Sequence, residues 1–354
     1  MRSRAVLSRP RAGEVRVRVH ACGICHTDLA VKLQHIPIPL PKVLGHEGAG
    51  IVEEVGPGTT HVRPGDHVLM SFGSCGECGN CRDGALGYCD HFRPINLYGH
   101  RAGGSALSRD GKELGGHFFA QSAFATHAIA SVRNIVKVDD DLPLELLAPL
   151  GCGIQTGMGS VMNVLRPQAG TSIAVFGVGA VGLSAIIAAR IVGCSTIIAV
   201  DVVPERLRVA QQLGATGVVS GRGEDPVAEI VDLTQGGANS LWIQRGCRRR
   251  WRTRSIAFAH GVSARRSRRR LAGPSTPPKQ VSLSVAESPF AALSRETQTL
   301  NCSFREEFFR EGRLPLDKIV KIYALEKINE AVDDLEHGRV VKPVLTMRGF
   351  GSAA

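Results

Sequence analysis

Residues 171–182 read TSIAVFGVGAVG, an apolar run that leads into three glycines spaced G-x-G-x-x-G. The apolar residues 171–176 predict a buried strand, and the stretch 183–192 predicts a helix that follows the glycines. Small residues at this junction let a pyrophosphate group approach the backbone at the helix N-terminus. The three glycines are Gly177, Gly179 and Gly182. A glycine-rich turn without a ligand is the alternative, but the order strand, glycines, helix favours a dinucleotide site.

A second apolar run, residues 196–200, ends at Asp201, nineteen residues after the last glycine. An acid at this distance accepts hydrogen bonds from both ribose hydroxyls and repels a 2′-phosphate. We therefore expect the cofactor NAD rather than NADP. Arg206, on the following turn, would by itself hint at NADP, but beside Asp201 it carries less weight.

Four cysteines form the pattern C-x2-C-x2-C-x7-C. Four thiolates at this spacing can surround one tetrahedral zinc ion and leave no open position for a substrate. The glycines between them allow the sharp turns that aim the sulfur atoms inward. We therefore predict a structural zinc site, with four free thiols in a loop as the alternative. Its ligands would be Cys75, Cys78, Cys81 and Cys89.

Three further segments carry metal-binding residue types: residues 22–28 (CGICHTD), 45–47 (GHE) and 150–153 (LGCG). Spacing alone does not join them. In this order, and with the four-cysteine loop between them, they resemble the zinc-dependent alcohol dehydrogenases of the medium-chain dehydrogenase family. The resemblance covers about residues 10–235 and 313–348, and it is nearest to the aryl-alcohol (benzyl alcohol) branch.

The resemblance implies a second, catalytic zinc ion, held by Cys25, His46 and Cys152, and thus two zinc ions per chain. Two thiolates and one imidazole leave a fourth position for water or for the alcohol oxygen. The neighbouring Cys22 has no counterpart among the ligands of the family, so we assign it to packing.

The resemblance also assigns roles beside this zinc ion. Thr27 matches the hydroxyl that takes the proton of the alcohol, and Asp28 matches the carboxylate that orients the ligand histidine. Glu47 would lie beside the metal and exchange with water as a transient ligand. Together these residues imply NAD-dependent oxidation of a primary alcohol to the aldehyde, or the reverse, by hydride transfer from a zinc-bound alkoxide.

Further coenzyme contacts follow from the resemblance. His26 and Lys342 match positions that contact the pyrophosphate, and Thr156 and Val181 match positions that line the nicotinamide. Arg206 matches a basic residue that approaches the adenosine ribose or its phosphate.

Residues 117–125 (HFFAQSAFA) resemble the corresponding stretch of the aryl-alcohol branch. Phe118 and Phe119 would form an apolar slot for a flat ring, with ordinary core packing as an equal alternative. We therefore expect an aromatic or a long apolar alcohol as the substrate.

The formal net charge of +11 comes from one segment. Residues 233–286 contain eleven Arg, one Lys and no acid, so the rest of the chain carries a net charge of −1. Burying so many unpaired guanidinium groups would cost about several kcal/mol each. We interpret residues 239–276 as aberrant, as if translated out of frame, and therefore as disordered or loosely packed. The enzyme would then be impaired.

Two alternatives remain at this point. A zinc-binding but catalytically impaired remnant would keep both metal sites and lose its affinity for the coenzyme. A nucleic-acid binder would use the basic run, with Trp242, Trp251 and Phe258 interleaved. No recognised nucleic-acid fold is present, which makes this alternative the weaker one.

The resemblance implies an α/β chain of two domains. Residues 1–153 and 304–354 would form a catalytic domain around a GroES-like β-barrel. Residues 154–303 would form a Rossmann domain, a doubly wound parallel sheet that is disrupted at about 239–304. Few residues precede Pro10, so the barrel would lack its first hairpin or the true start would lie upstream.

No run of about 18 apolar residues is present, and residues 1–20 carry charges throughout, so we expect neither a transmembrane helix nor a signal peptide. We therefore expect a cytoplasmic protein whose clustered cysteines bind metal rather than form disulfides. Its partner would be a small-molecule alcohol or aldehyde, and we expect a homo-oligomer.

Overall fold

The computed structural model describes residues 5–99, 101, 103–243, 282–285 and 303–347. The chain forms two compact units, one of Met1–Gly153 with Arg295–Ala354 and the other of Ile154–Ser294. The strands of the described residues are β1 (Val6–Leu7), β2 (Glu14–Gly23), β3 (Gly48–Val55), β4 (His67–Met70), β5 (Leu107–Arg109), β6 (Lys112–Leu114), β7 (His127–Ser131), β8 (Ile135–Val138), β9 (Ser172–Phe176), β10 (Thr196–Asp201), β11 (Gly217–Ser220), β12 (Ser240–Ile243), β13 (Ser282–Val285), β14 (Val320–Ala324) and β15 (Lys342–Thr346).

The helices of the same residues are short. They are α1 (His26–Lys32), α2 (Gly79–Arg82), α3 (Phe92–Asn96), α4 (Leu144–Leu147), α5 (Gly153–Gly159), α6 (Ala180–Ile191), α7 (Pro204–Leu213), α8 (Pro226–Leu233), α9 (Ser303–Arg310) and α10 (Ile328–Glu336). Short 3₁₀ turns lie at Leu86–Tyr88, Phe118–Ala120, Ala148–Gly151, Leu316–Lys318 and Leu325–Lys327, and a π turn at Ser160–Leu165. Within the described ranges, no helix has the length and apolar character needed to cross a membrane.

The first unit is built around a seven-stranded sheet with the order β14-β15-β2-β3-β4-β8, in which β7 also pairs with β2. β2 pairs with β3 along one edge, and with β7 and then β15 along the other. Val15, Val17 and Val19 of β2 are buried, whereas Arg16 and Arg18 between them are more exposed. This alternation is the period of two that a strand with one buried face requires.

The register between β2 and β3 brings two of the sequence motifs together. Cys22 lies opposite Gly48, and the Gly23 amide donates to the Glu47 carbonyl oxygen at 3.0 Å. The chain leaves β2 at Gly23 and enters β3 at Gly48. The CGICHTD and GHE segments therefore lie side by side at one end of the sheet.

The second unit contains a parallel sheet with the order β11-β10-β9-β12-β13. β9 is buried along its whole length, as a strand inside a parallel sheet should be. Gly179 is the N-cap of α6, which begins at Ala180, three residues earlier than the sequence pattern predicted. The order strand, glycines, helix is the predicted one.

The prediction for residues 239–276 is wrong at its start. Ser240–Ile243 forms β12, whose four residues are buried between β9 and β13. Asn239 Oδ1 accepts hydrogen bonds from the amide and the hydroxyl of Ser172, so this junction is held in place. The sequence SLWI of residues 240–243 is therefore part of the buried parallel sheet. The remainder of that prediction, residues 244–276, lies outside the described residues.

A buried histidine lies beside a charged cluster in the first unit. Arg101 binds both carboxylate oxygens of Glu14, at 2.7 and 2.8 Å. His117 is 8% exposed, and its Nε2 has no hydrogen-bond partner among the described residues. Burial, together with the charges of Arg101, Lys42 and Arg11, lowers the pKa of His117 to about 4, although Glu14 opposes the shift.

This shift predicts that the protein is less stable in weak acid. Above about pH 6.5 His117 is neutral in both the folded and the unfolded state. As the pH falls toward 4, the unfolded chain takes up the proton first, so the histidine costs about 2 kcal/mol of stability at pH 5. His117→Asn should remove this dependence, because asparagine does not titrate and tolerates the positive φ of 56°. Urea unfolding of both proteins at pH 5 and pH 8 measures the difference, and equal pH dependence would contradict the assignment.

Candidate metal and coenzyme sites

The structure brings together four side chains at the end of the first sheet. One ligand atom each from Cys25, His46, Glu47 and Cys152 lies within 4.8 Å of the others. The third segment reaches the cluster because Gly151 packs on β4: a Cβ at that position would lie 2.3 Å from the Met70 carbonyl oxygen. Three segments that spacing alone could not join therefore form one site.

Asp28 fixes the histidine of this cluster. Its Oδ1 lies 3.0 Å from His46 Nδ1, and both side chains are buried. Its Oδ2 accepts a hydrogen bond from the Cys25 amide at the start of α1. His46 Nε2 is buried and has no hydrogen-bond partner in the part of the chain that the structure describes. One carboxylate thus orients two members of the cluster, and leaves Nε2 as the nitrogen available to a metal.

The pKa values of the two cysteine thiols in this cluster shift in opposite directions. A hydrogen bond with Cys152, helped by His46, holds the pKa of Cys25 well below its usual range. The same bond, together with burial, raises the pKa of Cys152 well above it. A thiolate is the form that binds zinc, and metal binding at such a cluster displaces the remaining protons.

Glu47 forms a buried ion pair. Lys342 Nζ lies 2.9 and 2.8 Å from its two carboxylate oxygens and also donates to the Ile24 carbonyl oxygen. The Gly153 amide donates to Glu47 Oε1 at 3.0 Å. The resemblance assigned Lys342 to the coenzyme pyrophosphate, but here its ammonium group is held beside the cluster of Cys25, His46, Glu47 and Cys152. A pyrophosphate contact would require this pair to open, and the assignment stays a prediction.

Gly23 is a residue that the sequence analysis missed. A Cβ at this position would lie 2.0 Å from Glu47 Oε2. Nothing in the local sequence distinguishes Gly23 from an ordinary strand residue, because the side chain it admits is that of Glu47, which immediately precedes β3. The contacts of the paired phenylalanines with His46 were also not predicted. Phe119 stacks on the His46 ring with the ring centroids 4.5 Å apart, and Phe118 meets the same ring edge-on with the centroids 5.6 Å apart.

Both phenylalanine rings are buried, at 0% and 1% exposure. They therefore favour the packing alternative over a slot for a flat substrate ring. Thr27, which was assigned to this site, has its Oγ1 3.7 Å from Cys25 Sγ. His26, which was assigned to the coenzyme pyrophosphate, is exposed on α1, and Cys22 is buried in the core as expected.

The four-cysteine loop forms a second cluster, with the sulfur atoms within 4.8 Å of one another. They belong to Cys75, Cys78, Cys81 and Cys89. Burial opposes ionisation of Cys75, but bonds from the Glu77 and Cys78 amides lower its pKa to about 6. Burial raises the pKa of Cys89 to about 12. Sulfur atoms that converge in this way fit a four-thiolate metal site.

In the second unit, the glycine motif has the geometry of a tight turn. Gly177 has a φ of +87°, and a Cβ on Gly182 would lie 2.0 Å from the Gly177 carbonyl oxygen. Asp201 is 8% exposed and already accepts bonds from the backbone: Val178 N binds Oδ2, and Val202 N and Val203 N bind Oδ1. Besides its predicted role toward a ribose, Asp201 therefore holds the glycine-rich turn.

The remaining coenzyme candidates lie around this turn. Thr156 is buried on α5, and a Cβ on its neighbour Gly157 would lie 2.1 Å from the Val181 carbonyl oxygen. The start of α6 and α5 are therefore in close contact. Arg206 lies on α7, and its Nε is buried without a hydrogen-bond partner among the described residues. The roles of these residues stay predictions.

Comparison with known proteins identifies the family. The sequence models of the alcohol dehydrogenase GroES-like domain and of the zinc-binding dehydrogenase domain match residues 11–140 and 180–244. A geraniol dehydrogenase of Castellaniella defragrans is 39% identical over 350 residues, which span 96% of this chain and 92% of the relative. The chain belongs to the zinc-dependent alcohol dehydrogenases of the medium-chain family.

Two solved structures agree with this assignment to the zinc-dependent alcohol dehydrogenases. The benzyl alcohol dehydrogenase of Acinetobacter calcoaceticus is 39% identical, with a TM-score of 0.84 over 97% of this chain and 94% of that one. An alcohol dehydrogenase zinc-binding domain protein of Burkholderia ambifaria is 41% identical, with a TM-score of 0.86 over the same shares. The predicted family and the predicted fold class, a GroES-like domain with a Rossmann domain, are confirmed.

The contact at Gly23 gives a testable prediction. Gly23→Ala should lower the free energy of unfolding by about 1–3 kcal/mol, because its methyl group must displace a carboxylate that Lys342 and Gly153 hold. Gly79→Ala is the matched control, since no heavy atom lies within 4 Å of its Cβ position. Urea unfolding measures both variants. Equal stability of the two would show that Glu47 is not held as described.

Proposed function

We propose that this chain oxidises primary alcohols to aldehydes, or catalyses the reverse reaction, with NAD as the coenzyme and two zinc ions per chain. The observation that supports the proposal is the cluster of half-buried Cys25 with buried His46 and Cys152, in which His46 Nε2 lacks a hydrogen-bond partner among the described residues. Two thiolates and one imidazole are the catalytic ligand set for which alcohol dehydrogenases are the standard example.

The residues around this cluster fit that chemistry. When bound, zinc acts as a Lewis acid that lowers the pKa of an alcohol hydroxyl, and NAD accepts the hydride. Thr27, whose hydroxyl lies 3.7 Å from Cys25 Sγ, would accept the proton of the alcohol. Asp28 keeps the His46 ring in one orientation through the 3.0 Å contact with Nδ1. Glu47 has a carboxylate oxygen within 4.8 Å of the other ligand atoms, and its ion pair with Lys342 would compete with any bond to the metal.

The four-cysteine cluster would hold the second zinc ion, in a structural role. It has four protein ligands and therefore no position for a substrate. Its cysteines come from one loop, whereas the ligands of the catalytic site come from three segments. The two sites should therefore be separable by mutation.

The test of the proposal is the loss of one metal ion with the loss of turnover. The wild-type protein should hold two zinc ions by elemental analysis and form NADH from benzyl alcohol and NAD. His46→Ala should lose one zinc ion and all measurable turnover, and keep the four-cysteine zinc. His61→Ala, an exposed histidine of the same unit, is the control and should keep both zinc ions. One zinc ion or none in the wild-type protein, or full turnover in His46→Ala, would sink the proposal.

Coenzyme choice rests on Asp201. Its carboxylate should make NADH bind more tightly than NADPH, because it repels a 2′-phosphate. Asp201→Asn should improve the binding of NADPH relative to NADH by about tenfold, which corresponds to about 1.4 kcal/mol of lost repulsion. Asp201→Gly should weaken both, since it also removes the acceptor of three backbone amides. Fluorescence titration with both coenzymes measures this, and a wild-type preference for NADPH would contradict it.

An aromatic or long apolar primary alcohol remains our proposal for the substrate. It is supported by the two relatives that are named for geraniol and benzyl alcohol. Both alcohols are primary, and both carry the hydroxyl-bearing carbon next to an unsaturated carbon. Because Phe118 and Phe119 pack on His46, they do not support this preference by themselves. The cytoplasmic location and the homo-oligomer stay predictions.

The impaired remnant is the second candidate, favoured by the basic run that follows β12. An impaired remnant and an active enzyme would both hold two zinc ions. They differ in coenzyme binding, because NADH would not bind to the remnant in the fluorescence titration. Family membership gives no support to the nucleic-acid binder. Trp242, one of the aromatic residues of that alternative, is buried in β12.

A further inference from the structure

The loop of residues 117–122 has an unusual backbone. Four of its six residues adopt the left-handed conformation without being glycine: His117 (56°), Phe119 (52°), Ala120 (56°) and Ser122 (57°). Such residues are uncommon, and they persist only where the surroundings fix them. Here the fixing contacts include Asn134, whose Nδ2 donates to the carbonyl oxygens of Phe119 and Ala120.

This loop runs alongside the segment that carries the histidine ligand. The Ala123 amide donates to the Gly45 carbonyl oxygen, and Ser122 Oγ donates to the Val43 carbonyl oxygen. The contact continues at Gln121, which is 1% exposed. The loop therefore holds the segment that leads to His46 from one side.

Gln121 joins the two backbone groups on either side of Glu47. Its Oε1 accepts a hydrogen bond from the Gly48 amide at 3.0 Å. Its Nε2 donates to the His46 carbonyl oxygen at 3.0 Å and to the Ser71 carbonyl oxygen at 2.9 Å. A Cβ on Gly48 would lie 2.4 Å from Met70 Cε, 2.7 Å from Ala123 Cβ and 2.8 Å from Gln121 Oε1, so glycine at this position leaves room for all three side chains, the amide included.

We infer that Gln121 is a positioning residue for the catalytic metal site: it fixes the backbone of residues 46–48 and thereby the direction of the His46 and Glu47 side chains. The inference rests on the proposed function. Asp28 orients the ring of His46, whereas Gln121 orients its backbone, and both are needed because a side chain follows its Cα–Cβ bond. An amide suits the position because it supplies one acceptor and two donors from one planar group.

The chain contains a matched control beside the other cysteine cluster. Asn96 is 0% exposed; its Oδ1 accepts from the Gly73 amide at 2.7 Å, and its Nδ2 donates to the carbonyl oxygens of Gly73 and Phe92, each at 2.9 Å. It therefore makes one acceptor bond and two donor bonds, as Gln121 does, but its partners are Gly73, two residues before Cys75, and Phe92, three residues after Cys89. If substitution of either amide only loosened the packing, changes at Gln121 and at Asn96 would have the same effect on both cysteine clusters. If each amide positions its own cluster, a change at Gln121 affects the cluster of His46 and a change at Asn96 affects the four-cysteine cluster.

The experiment compares Gln121→Met with Asn96→Leu, two apolar replacements of similar shape. Zinc content is measured after dialysis against a graded chelator, and the absorption spectrum is measured after exchange with Co²⁺. Gln121→Met should hold the catalytic metal about 10- to 100-fold more weakly, shift the spectrum of the Co²⁺ bound there, and lower kcat with an unchanged KM for NAD. It should leave the four-cysteine metal unchanged, and Asn96→Leu should do the opposite. In a His46→Ala background, Gln121→Met should remove no further metal.

Gln121→Glu keeps the side-chain volume and the hydrogen bond from the Gly48 amide. It replaces Nε2 with an oxygen that faces the carbonyl oxygens of His46 and Ser71. It should therefore weaken binding of the catalytic metal in the same way, and it replaces Gln121→Met in the experiment if that variant does not fold. If the wild-type protein holds two metal ions and both Gln121 variants retain the catalytic metal, its spectrum and kcat, this inference is overturned and the proposed function stands. If the wild-type protein holds only the four-cysteine metal, the proposed function fails, and the inference fails with it.

Discussion

The cluster of Cys25, His46, Glu47 and Cys152 depends on the antiparallel pairing of β2 with β3. Their register, with Cys22 opposite Gly48, brings the ends of two strands together, so Cys25 and His46 meet without any local sequence signal. A slip of one residue would turn every side chain of a strand to the other face of the sheet. The buried valines of β2 oppose such a slip, because it would expose them and bury Arg16 and Arg18. The hydrophobic core thus fixes the geometry of a polar site.

The same end of the sheet concentrates buried charge. Asp28, Glu47 and Lys342 are all nearly inaccessible to water. Each ion would be costly to bury alone, and each has a partner: His46 and two backbone amides for Asp28, and the Lys342 ammonium for Glu47. Burial raises the pKa of Glu47 even so. Because buried ion pairs add little to stability, the contribution of these charges lies in the positions in which they hold one another and His46.

The sequence predicted the features whose residues are close together in the chain. The family resemblance predicted which of the distant segments come together. The four-cysteine loop and the strand-glycine-helix unit could be predicted because their residues are close in the chain. The ion pair of Glu47 with Lys342 and the bonds of Gln121 to residues 46 and 48 span 295 and about 75 residues, and no pattern marks them. The error at residues 239–243 arose because the charge of a long segment was given more weight than its first apolar residues. The placement of Phe118 and Phe119 depends on packing, which composition does not specify.

The two cysteine clusters differ in how early a growing chain can complete them. All four sulfur atoms of the loop come from residues 75–89, so this cluster is available soon after that stretch leaves the ribosome. The other cluster must wait for Cys152, and its carboxylate has no counter-ion until Lys342, 295 residues after Glu47, has been synthesised. The loop can therefore complete its set of sulfur atoms first, whereas the three proposed ligands of the other cluster are all present only after Cys152 has been synthesised.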